Sequence, residues 1–390
     1  MTALMWIEIA LLSIVACCLL FQLFYYWVYL AQPYYLFVRK KAPEPETAQQ
    51  PSVSIVMYAK NEAENLETFL PLFLEQDYPD YELIVVDDDS TDDTEHVLKR
   101  MSLTYPQLYH TYLPGQSKNI SRKKLALTLG VKAAKYDQIL FVEADSRPVN
   151  NYWLRMMSQY FSDRQQILLG MSVLVKYPFR FAAYDYFSSN LQMAALALAG
   201  HPYMGNGRNL GYNKQLFFRQ KGFSTYNFMD AGEDDLLVAE TVDKRNSVAV
   251  VSPDSLMLVD MEAGWMWKEY KRRRSIATPF YKKFPRFMNG TEQITRLVVI
   301  AGTIGWAVRA VLLSDLILLL VASSGFLIRE ASQIAVINLT AKKLNVKPFL
   351  WMLPVYDLIQ PFVNFYFYMY GWLSSNKDNH WIYGKKQRCI

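Results

Sequence analysis

The chain has 390 residues, a hydrophobic fraction of 52%, an aromatic fraction of 15% and a formal net charge of +5. This charge is modest and the basic residues do not alternate with aromatic ones, so we expect no nucleic-acid partner. The three cysteines, Cys17, Cys18 and Cys389, show neither zinc-site spacing nor a disulfide framework. The length is sufficient for one large domain with additional segments.

The first segment, residues 3–30, predicts a membrane anchor. It contains one acid, Glu8, and no basic residue, and it is longer than the roughly 20 apolar residues that cross a bilayer. No basic residue precedes it and no small-residue cleavage site follows it, so we expect an anchor and not a signal peptide. The basic residues at 39–41 indicate that the chain beyond the anchor is cytoplasmic. We therefore predict an anchor at 1–41 and a linker at 42–52.

Predicted strands and helices alternate from residue 53 to residue 142. This alternation favours right-handed crossovers and a mostly parallel sheet. A further predicted helix, Phe181–Leu198, lies either along a membrane or substrate cleft or in the core. The predicted strands are Val53–Met57, Leu83–Val86, Leu108–Tyr112 and Ile139–Val142, and the helices between them are Glu62–Gln76, Asp92–Met101 and Lys124–Ala134.

Acidic residues directly follow two of these strands. The second strand leads into Asp87–Asp93, with five acids in seven positions, and the fourth leads into Glu143–Asp145. Because ligands bind at the carboxyl ends of strands in open α/β sheets, we expect both runs at one edge, facing a nucleotide and a metal. The alternative is that the acids only cap the following helices, as Ser90, Asp92 and Asp93 are placed to do.

A third acidic cluster, Gly232–Asp235, precedes an apolar helical run, and basic residues follow further along the chain. Acids at a helix start commonly stabilise the helix dipole only. Together with the strand-end acids, however, the cluster suits sugar transfer from a nucleotide, which needs a cation at the leaving diphosphate and a base for the acceptor proton. Gly205–Tyr212, also rich in glycine, permits a close-packed turn but is not a dinucleotide fingerprint. The basic residues that suit a membrane surface are Lys268, Lys271, Arg272, Arg273, Arg274, Lys282, Lys283 and Arg286.

Two apolar segments, residues 297–328 and 349–373, predict further membrane helices. Glycine, proline or charged residues interrupt both, so each is either one tilted span or a broken pair. Arg309 and Asp315 are expected to face protein, water or headgroups, because a charge facing lipid is costly. The predicted organisation is a cytoplasmic domain at 53–295 and a membrane region with a tail at 296–390.

The chain resembles the membrane-bound family 2 glycosyltransferases of GT-A fold, with a layout similar to hyaluronan and cellulose synthases. The most specific match is Gln76–Pro79 followed by Glu82–Asp92, which resembles the family's Q-x-Y-P…E-I-I-V-V-D-D-G-S-T-D with Asp89 at the usual glycine. The resemblance covers about Ser52 to Pro285. It implies an α/β fold with a mostly parallel central sheet, N- and C-terminal transmembrane helices, and an integral protein of a bacterial inner membrane.

The resemblance also implies which residues bind the nucleotide-sugar. Tyr58, Ala59 and Glu62 would contact uracil and ribose, and Asp88 would accept a hydrogen bond from the base. Lys123 resembles the lysine of the family's G-K-x-x-A-L, which approaches the nucleotide.

The run Glu143-Ala144-Asp145 occupies the place of the family's D-x-D motif. The resemblance implies that Asp145 is the metal ligand and that Glu143 and Ala144 lie nearer the sugar or ribose. Carboxylate oxygens suit Mg²⁺ or Mn²⁺, and both remain open.

The catalytic cluster is implied in the same way. Asp234 would be the base, with Glu233 and Asp235 as neighbours, and Arg273 or Arg274 would bind the diphosphate. The counterpart of the Q-x-x-R-W motif of processive members lacks both Gln and Trp.

The implied function is inverting transfer from a nucleotide-sugar, with UDP as the expected nucleotide, to a lipid or lipid-linked acceptor at the cytoplasmic membrane face. A processive polysaccharide synthase is the alternative. Asp87–Thr91 also fits the D-x-D-x-T pattern of haloacid-dehalogenase-type phosphatases, although a full βα unit precedes it. An inactive membrane scaffold is the remaining alternative.

Overall fold

The computed structural model of the protein divides into two compact units. Of the described residues, those within 50–282 and 368–378 form one unit, and those within 3–39 and 283–367 form the other. The predicted linker falls almost entirely outside the described residues, which are 3–39, 50–113, 121–226, 229 and 231–378.

Within the described residues, ten strands form a seven-stranded and a three-stranded sheet. The strands are β1 (Val53–Ala59), β2 (Tyr81–Asp87), β3 (Leu108–Tyr112), β4 (Gln138–Glu143), β5 (Ser146–Pro148), β6 (Ile167–Gly170), β7 (Ser172–Lys176), β8 (Leu210–Asn213), β9 (Ser247–Val250) and β10 (Met257–Asp260). The larger sheet has the order β3-β2-β1-β4-β8-β6-β9 and the smaller one β5-β10-β7. In the larger sheet only β8 runs antiparallel to its neighbours, so the expected mostly parallel sheet is confirmed.

Helices cover both faces of this sheet. In chain order the helices are α1 (Ala3–Phe24), α2 (Gln32–Arg39), α3 (Ala63–Leu74), α4 (Thr94–Thr104), α5 (Arg122–Ala133), α6 (Trp153–Ser158), α7 (Arg180–Leu198), α8 (Lys214–Arg219), α9 (Asp235–Thr241), α10 (Gly264–Ala277), α11 (Lys283–Leu312), α12 (Leu316–Lys343) and α13 (Leu353–Asp378). Successive strand residues point to opposite faces. Ile55 therefore packs in a core cluster with residues of α3, and Val56 packs in a second cluster with residues of α5.

The elements predicted between residues 53 and 142 are all present, with ends shifted by a few residues. The predicted helix at 181–198 is α7, and most of its residues are buried. It is therefore a core helix, the second of its two predicted placements.

Among its described residues, the other unit contains three helical segments that are long and apolar enough to cross a membrane: Trp6–Leu30, Lys283–Leu312 and Leu316–Lys343. The predicted segment 297–328 is thus a broken pair, because Asp315 begins α12 and its Oδ1 accepts a hydrogen bond from Leu318 N at 3.0 Å. Arg309 pairs with Glu8, the acid of the first segment, at 2.8 Å. The predicted boundary at residue 295 falls inside α11.

Buried charges connect the helices of this unit. Arg296 of α11 and Arg329 of α12 both pair with Asp357 of α13, at 3.1 and 2.6 Å. Arg296 also pairs with Glu292, and Arg329 with Glu330. The charges therefore neutralise one another between helices, which is how ionisable groups are accommodated within membrane helices.

Candidate active site

The two strand-end acidic runs meet at one edge of the large sheet. Strand β1 pairs in parallel with β2 on one side and β4 on the other, with Ala59 opposite Asp87 and Tyr58 opposite Glu143. The ends of these three strands thus bring the first-strand loop and both acidic runs together, as the strand-end argument predicted.

Asp88 lies at this edge with a carboxylate that is almost fully buried, at 1% exposure. It accepts a hydrogen bond from Tyr58 Oη at 2.8 Å and forms ion pairs with Arg122 and, at 3.5 Å, with Lys60. Its backbone N–H donates to Ala59 O at 2.9 Å, which fixes the first-strand loop against the acidic run. A nucleobase that binds Asp88 must therefore share this carboxylate with existing cationic partners.

The rest of this acidic run has a structural role. Asp89 has φ of 57°, a left-handed conformation that favours glycine and that Asp tolerates better than most residues. Asp92 accepts hydrogen bonds from Ala63 N and Thr94 N, both at 3.1 Å. For Asp92 the helix-capping alternative is therefore correct, whereas Asp93 makes no such side-chain bond at the start of α4.

Six side chains of alternating charge form a continuous series of ion pairs from the end of β4 to α10. We call this series the charge chain. Its members, in order of contact, are Asp145, Arg208, Glu143, Lys123, Glu233 and Arg273.

Arg208 forms the first links of the charge chain. Its Nε and Nη2 donate to the two oxygens of Asp145 at 2.9 and 2.6 Å, and Nη2 lies 3.2 Å from Glu143 Oε2. The sequence did not identify Arg208 as a site residue. The only sequence signal was indirect, because Arg208 lies in the glycine-rich turn Gly205–Tyr212. This turn passes close to Glu143: a Cβ atom added at Gly207 would lie 3.2 Å from Glu143 Oε1.

Lys123 forms the middle of the charge chain. Its Nζ lies 2.8 Å from Glu143 Oε1, 3.0 Å from Glu233 Oε1 and 5.5 Å from the centre of the Tyr58 ring. Although burial opposes ionisation, Arg208 and Lys123 lower the pKa of Glu143 to about 2. This part of the site is therefore a set of paired, permanent charges.

Glu233 and Arg273 complete the charge chain. Burial opposes ionisation of Glu233, but Lys123 and Arg273 hold its pKa well below the ordinary value. The second oxygen of Glu233 is buried and has no hydrogen-bond partner among the described residues. Of the two predicted phosphate-binding arginines, Arg273 is a member of the charge chain, whereas Arg274 donates to Tyr270 Oη at 2.8 Å.

Asp234 and Asp235 have different surroundings. Asp234 Oδ2 accepts from Gly207 N at 2.7 Å, and burial followed by the charge of Glu233 raises the pKa of Asp234 above its ordinary value. Asp235 accepts from Tyr281 Oη at 2.6 Å, and burial followed by the charge of Asp234 raises its pKa to about 7. Asp234 thus faces the glycine-rich turn beside the charge chain, and Asp235 is directed to a tyrosine.

Glu62 is the other titratable group near the predicted metal carboxylates. It accepts a hydrogen bond from Asn65 Nδ2 at 2.6 Å. Burial raises the pKa of Glu62 to about 7, with smaller contributions from the charges of Asp145 and Glu143. A protonated Glu62 limits the negative charge gathered at this edge.

Lys124 is a second residue that the sequence analysis did not identify. It is fully buried next to Lys123 on α5, and its Nζ donates to the carbonyl oxygens of Tyr226, Met229 and Ala231 at 2.6, 2.8 and 2.8 Å. An ammonium group has three donors, and all three are used here. Lys124 therefore fixes the backbone that leads into Glu233 and Asp234.

Lys124→Met is expected to lower the rate of the reaction at this site about tenfold to a hundredfold, because displacement of a catalytic group by about 1 Å costs that much. The substitution also leaves buried carbonyl groups unpaired, at about 1–3 kcal/mol of stability. The measurement is kcat, at a temperature where thermal unfolding shows the variant to be folded. Lys132→Met, at an exposed position of the same helix, is the matched control and should match the wild type; equal kcat for both variants would contradict the positioning role.

The carboxylates of Glu143 and Asp145 are chemically suited to Mg²⁺ or Mn²⁺. Both are paired with Arg208, which occupies both oxygens of Asp145. No group of three or more His, Cys, Asp or Glu side chains arranged for a metal is found among the described residues. The carboxylates of Glu143 and Asp145 can therefore hold a cation whose remaining coordination comes from a bound ligand such as a diphosphate. For this, the Arg208 side chain must move away from Asp145.

Comparison with known proteins agrees with this geometry. Residues 54–231 match the family described as glycosyl transferase family 2. The range includes the strand-end acids and ends two residues before Glu233. A solved structure, the mannosyltransferase PcManGT from Pyrobaculum calidifontis in complex with GDP-Man and Mn²⁺, is similar with a TM-score of 0.54 at 20% identity, over 87% of this chain and 98% of that one.

Three curated relatives are similar over part of their length. Glycosyltransferase AglE of Haloferax volcanii is 28% identical over 45% of this chain and 54% of the relative. The poly-beta-1,6-N-acetyl-D-glucosamine synthase of Staphylococcus epidermidis is 26% identical over 32% of each chain. The 4,4'-diaponeurosporenoate glycosyltransferase of Staphylococcus haemolyticus is 29% identical over 40% of this chain and 39% of the relative.

The chain thus spans between about a third and about half of the length of these curated relatives. The shared region carries the α/β fold and the strand-end acids, including Glu143 and Asp145, and the structural neighbour has a GT-A-like fold. On these grounds the findings support a family 2 glycosyltransferase, with the match to the family model confined to residues 54–231.

Proposed function

We propose that the protein transfers a sugar from a nucleotide-sugar to a lipid or lipid-linked acceptor with inversion at the sugar carbon. The observation that supports this most is the charge chain, which extends from the end of β4 through Glu233 of the Gly232–Asp235 run to Arg273 of α10. Its Asp145 and Glu143 support a cation site, its Arg273 supports a phosphate-binding role, and Asp234, which adjoins Glu233 and accepts from Gly207 N, supports the role of base.

The proposed roles follow the geometry. Asp88 and Tyr58 hold the nucleoside, Arg273 binds the diphosphate, and Asp234 takes the proton of the acceptor hydroxyl as that oxygen attacks the sugar carbon. A divalent cation held by Asp145 and Glu143 would neutralise charge on the leaving diphosphate. A neighbour that binds GDP-Man with Mn²⁺ supports a nucleotide-sugar and a divalent cation; UDP as the nucleotide rests on the sequence resemblance.

The lipid acceptor is proposed from the three apolar helices and from the relative named as a diaponeurosporenoate glycosyltransferase. The relative named as a polysaccharide synthase supports the second candidate, a processive synthase. Against processivity, the basic cluster of α10 lacks the Gln and Trp that processive members carry. A product that carries one added sugar would therefore support transfer to a lipid or lipid-linked acceptor, whereas a polymeric product would support the processive synthase.

The test uses the purified full-length protein in lipid nanodiscs with a panel of UDP- and GDP-sugars. We expect nucleoside diphosphate release that depends on added membrane lipid extract, with mass spectrometry showing lipids heavier by one sugar. Release of phosphate from a generic phosphoester, without nucleoside diphosphate release from any donor, would support the phosphatase alternative. Neither release would support the inactive scaffold.

We also propose that residues 53–282 are cytoplasmic, on the basis of the positive charges at 39–41. In protein without its native cysteines, Leu103→Cys, at a side chain that is 89% exposed, should react with a membrane-impermeant thiol reagent only after cells are opened. Ser314→Cys, in the exposed turn between α11 and α12, is the control and should react in intact cells. The reverse pattern would contradict this orientation.

A further inference from the structure

We propose that Arg208 is an exchangeable counter-cation for the metal carboxylates: it holds Asp145 and Glu143 in the metal-free protein and releases Asp145 when a divalent cation binds. This inference rests on the proposed function, because it concerns the cation site of the same reaction. It adds a residue and a coupling that the family resemblance does not supply.

The first step of the argument is the geometry at Asp145. Arg208 donates to both carboxylate oxygens, at 2.9 and 2.6 Å, and the two side chains are only 15% and 13% exposed. Parallel charge-assisted bonds of this kind are about twice as strong as hydrogen bonds between neutral groups. A divalent cation at Asp145 therefore competes with Arg208, because two positive charges at one carboxylate repel each other.

The second step is the balance of charge. Asp145 and Glu143 lie close enough to share one guanidinium, with Arg208 Nη2 at 2.6 and 3.2 Å from them. Two partly buried carboxylates without a cation repel each other. Lys123 also pairs with Glu143, but Arg208 is the cation that bridges both carboxylates when no metal is present, and a divalent ion supplies more positive charge at the same place.

The third step is that the backbone at Arg208 is fixed on both sides. Asn206 donates to Ser172 Oγ at 2.5 Å and to Asn190 Oδ1 at 2.7 Å. Asn209 donates to the carbonyls of Met171 and Ser255 at 2.7 and 2.8 Å. The exchange therefore requires rotation of the Arg208 side chain and not movement of the turn.

The consequence is a coupling between the cation and an anionic ligand. A guanidinium released from Asp145 presents five donors in a rigid fork that matches phosphate. A metal that arrives with a diphosphate provides Arg208 with a new partner, whereas a metal that arrives alone leaves it without one. Arg208 thus weakens binding of the free metal and favours binding of the metal with the nucleotide.

The test measures Mn²⁺ binding to the nucleotide-free, full-length protein by the electron paramagnetic resonance signal of free Mn²⁺. Removing a competing charge-assisted pair should make Arg208→Gln bind Mn²⁺ on the order of 10- to 100-fold more tightly than wild type. Arg208→Lys, which keeps the charge but not the fork, should show a smaller increase and covers the case in which Arg208→Gln does not fold. Arg273→Gln, which removes a guanidinium from the charge chain but not from Asp145, is the control and should leave the affinity near wild type.

Mn²⁺ affinity in Arg208→Gln or Arg208→Lys that is equal to or weaker than wild type would overturn the inference. An equal gain in Arg273→Gln would also overturn it, because the effect would then be one of overall charge. The measurement uses Mn²⁺ alone and does not depend on sugar transfer. Tighter Mn²⁺ binding in protein that transfers no sugar would therefore count against the proposed function and not against the exchange.

Discussion

Asp234→Asn is expected to lower kcat for sugar transfer by about 10² to 10⁴, the usual contribution of a general base, while donor affinity changes little. An amide cannot accept a proton near neutral pH. Burial and the charge of Glu233 raise the pKa of Asp234, which brings this carboxylate closer to the proton affinity that a base needs. Glu233 is unsuited to that role, because Lys123 and Arg273 hold its pKa well below the ordinary value, which makes it a weaker base. The measurements are kcat and the Kd for the donor.

The structure adds a condition to this experiment, because Asp234 also caps α9. Its Oδ1 accepts from Asp235 N at 2.9 Å and its Oδ2 from Gly207 N at 2.7 Å. An Asn side chain has one acceptor oxygen and loses one of these bonds, at about 0.5–2 kcal/mol of stability. The rate must therefore be measured well below the unfolding temperature of the variant, where a cap alone has little influence on turnover.

Asp235→Asn is the matched control for Asp234→Asn. Asp235 accepts from Tyr281 Oη, and an amide oxygen can accept the same bond, so turnover should be largely retained. Loss of turnover in Asp235→Asn with retention in Asp234→Asn would show that the base is one position later. Retention in both variants would show that the acidic cluster is structural.

The pH dependence of transfer follows from the same assignment. The base must be unprotonated, so kcat/KM should fall as the pH falls through the pKa of Asp234, which lies above its ordinary value. The residual activity of Asp234→Asn should lack this decrease on the acid side.

The fold of residues 53–142 could be predicted because the sequence patterns that indicate its strands and helices are local. Apolar strands at Leu83–Val86 and Ile139–Val142 alternate with helical patterns, and each ends in acids. In a parallel sheet the carboxyl ends of the strands share one edge, so the placement of Asp88 and Glu143 at the same edge could be predicted without knowledge of side-chain contacts. Local signals also left the helix-capping alternative open, and it proved correct for Asp92.

The residues that were missed depend on pairing between distant segments. Strand β8 runs antiparallel to β4, with Leu210 opposite Phe141. If this antiparallel register is extended by two residues, towards the start of β8 and the end of β4, Arg208 lies opposite Glu143. No helical or strand period of the sequence indicates a pairing between positions so far apart, and a lone arginine in a glycine-rich turn is by itself uninformative. Lys124 was missed for a similar reason, because its partners are backbone carbonyls of a loop about a hundred residues later.

The unit that contains the three candidate membrane spans shows the same limit. Apolar length predicted the segment 297–328 but not whether it forms one helix or two. The segment forms two helices because the chain turns at Ser314, which has φ of 53°, and because Asp315 caps the start of α12. Arg296 and Arg329 each have an acidic partner close by in the sequence, but the partner that they share, Asp357, lies on a helix that follows both.

Asp145→Ala is expected to abolish metal-dependent binding of the nucleotide-sugar and to lower transfer by roughly 10² to 10³, because a catalytic metal stabilises the transition state by several kcal/mol. The change removes a carboxylate at the end of β4 and leaves Arg208 paired with Glu143, so the fold should be retained. The measurement is calorimetric titration of the donor with Mn²⁺ and with EDTA.

Asp92→Asn is the control: Asp92 is also a strand-end acid, but its carboxylate accepts hydrogen bonds from backbone N–H groups, so donor binding should keep its metal dependence. Unchanged metal dependence in Asp145→Ala, or wild-type transfer that EDTA does not diminish, would contradict the assignment of Asp145 as the metal ligand; in the second case the Arg208–Asp145 pair would remain intact during the reaction.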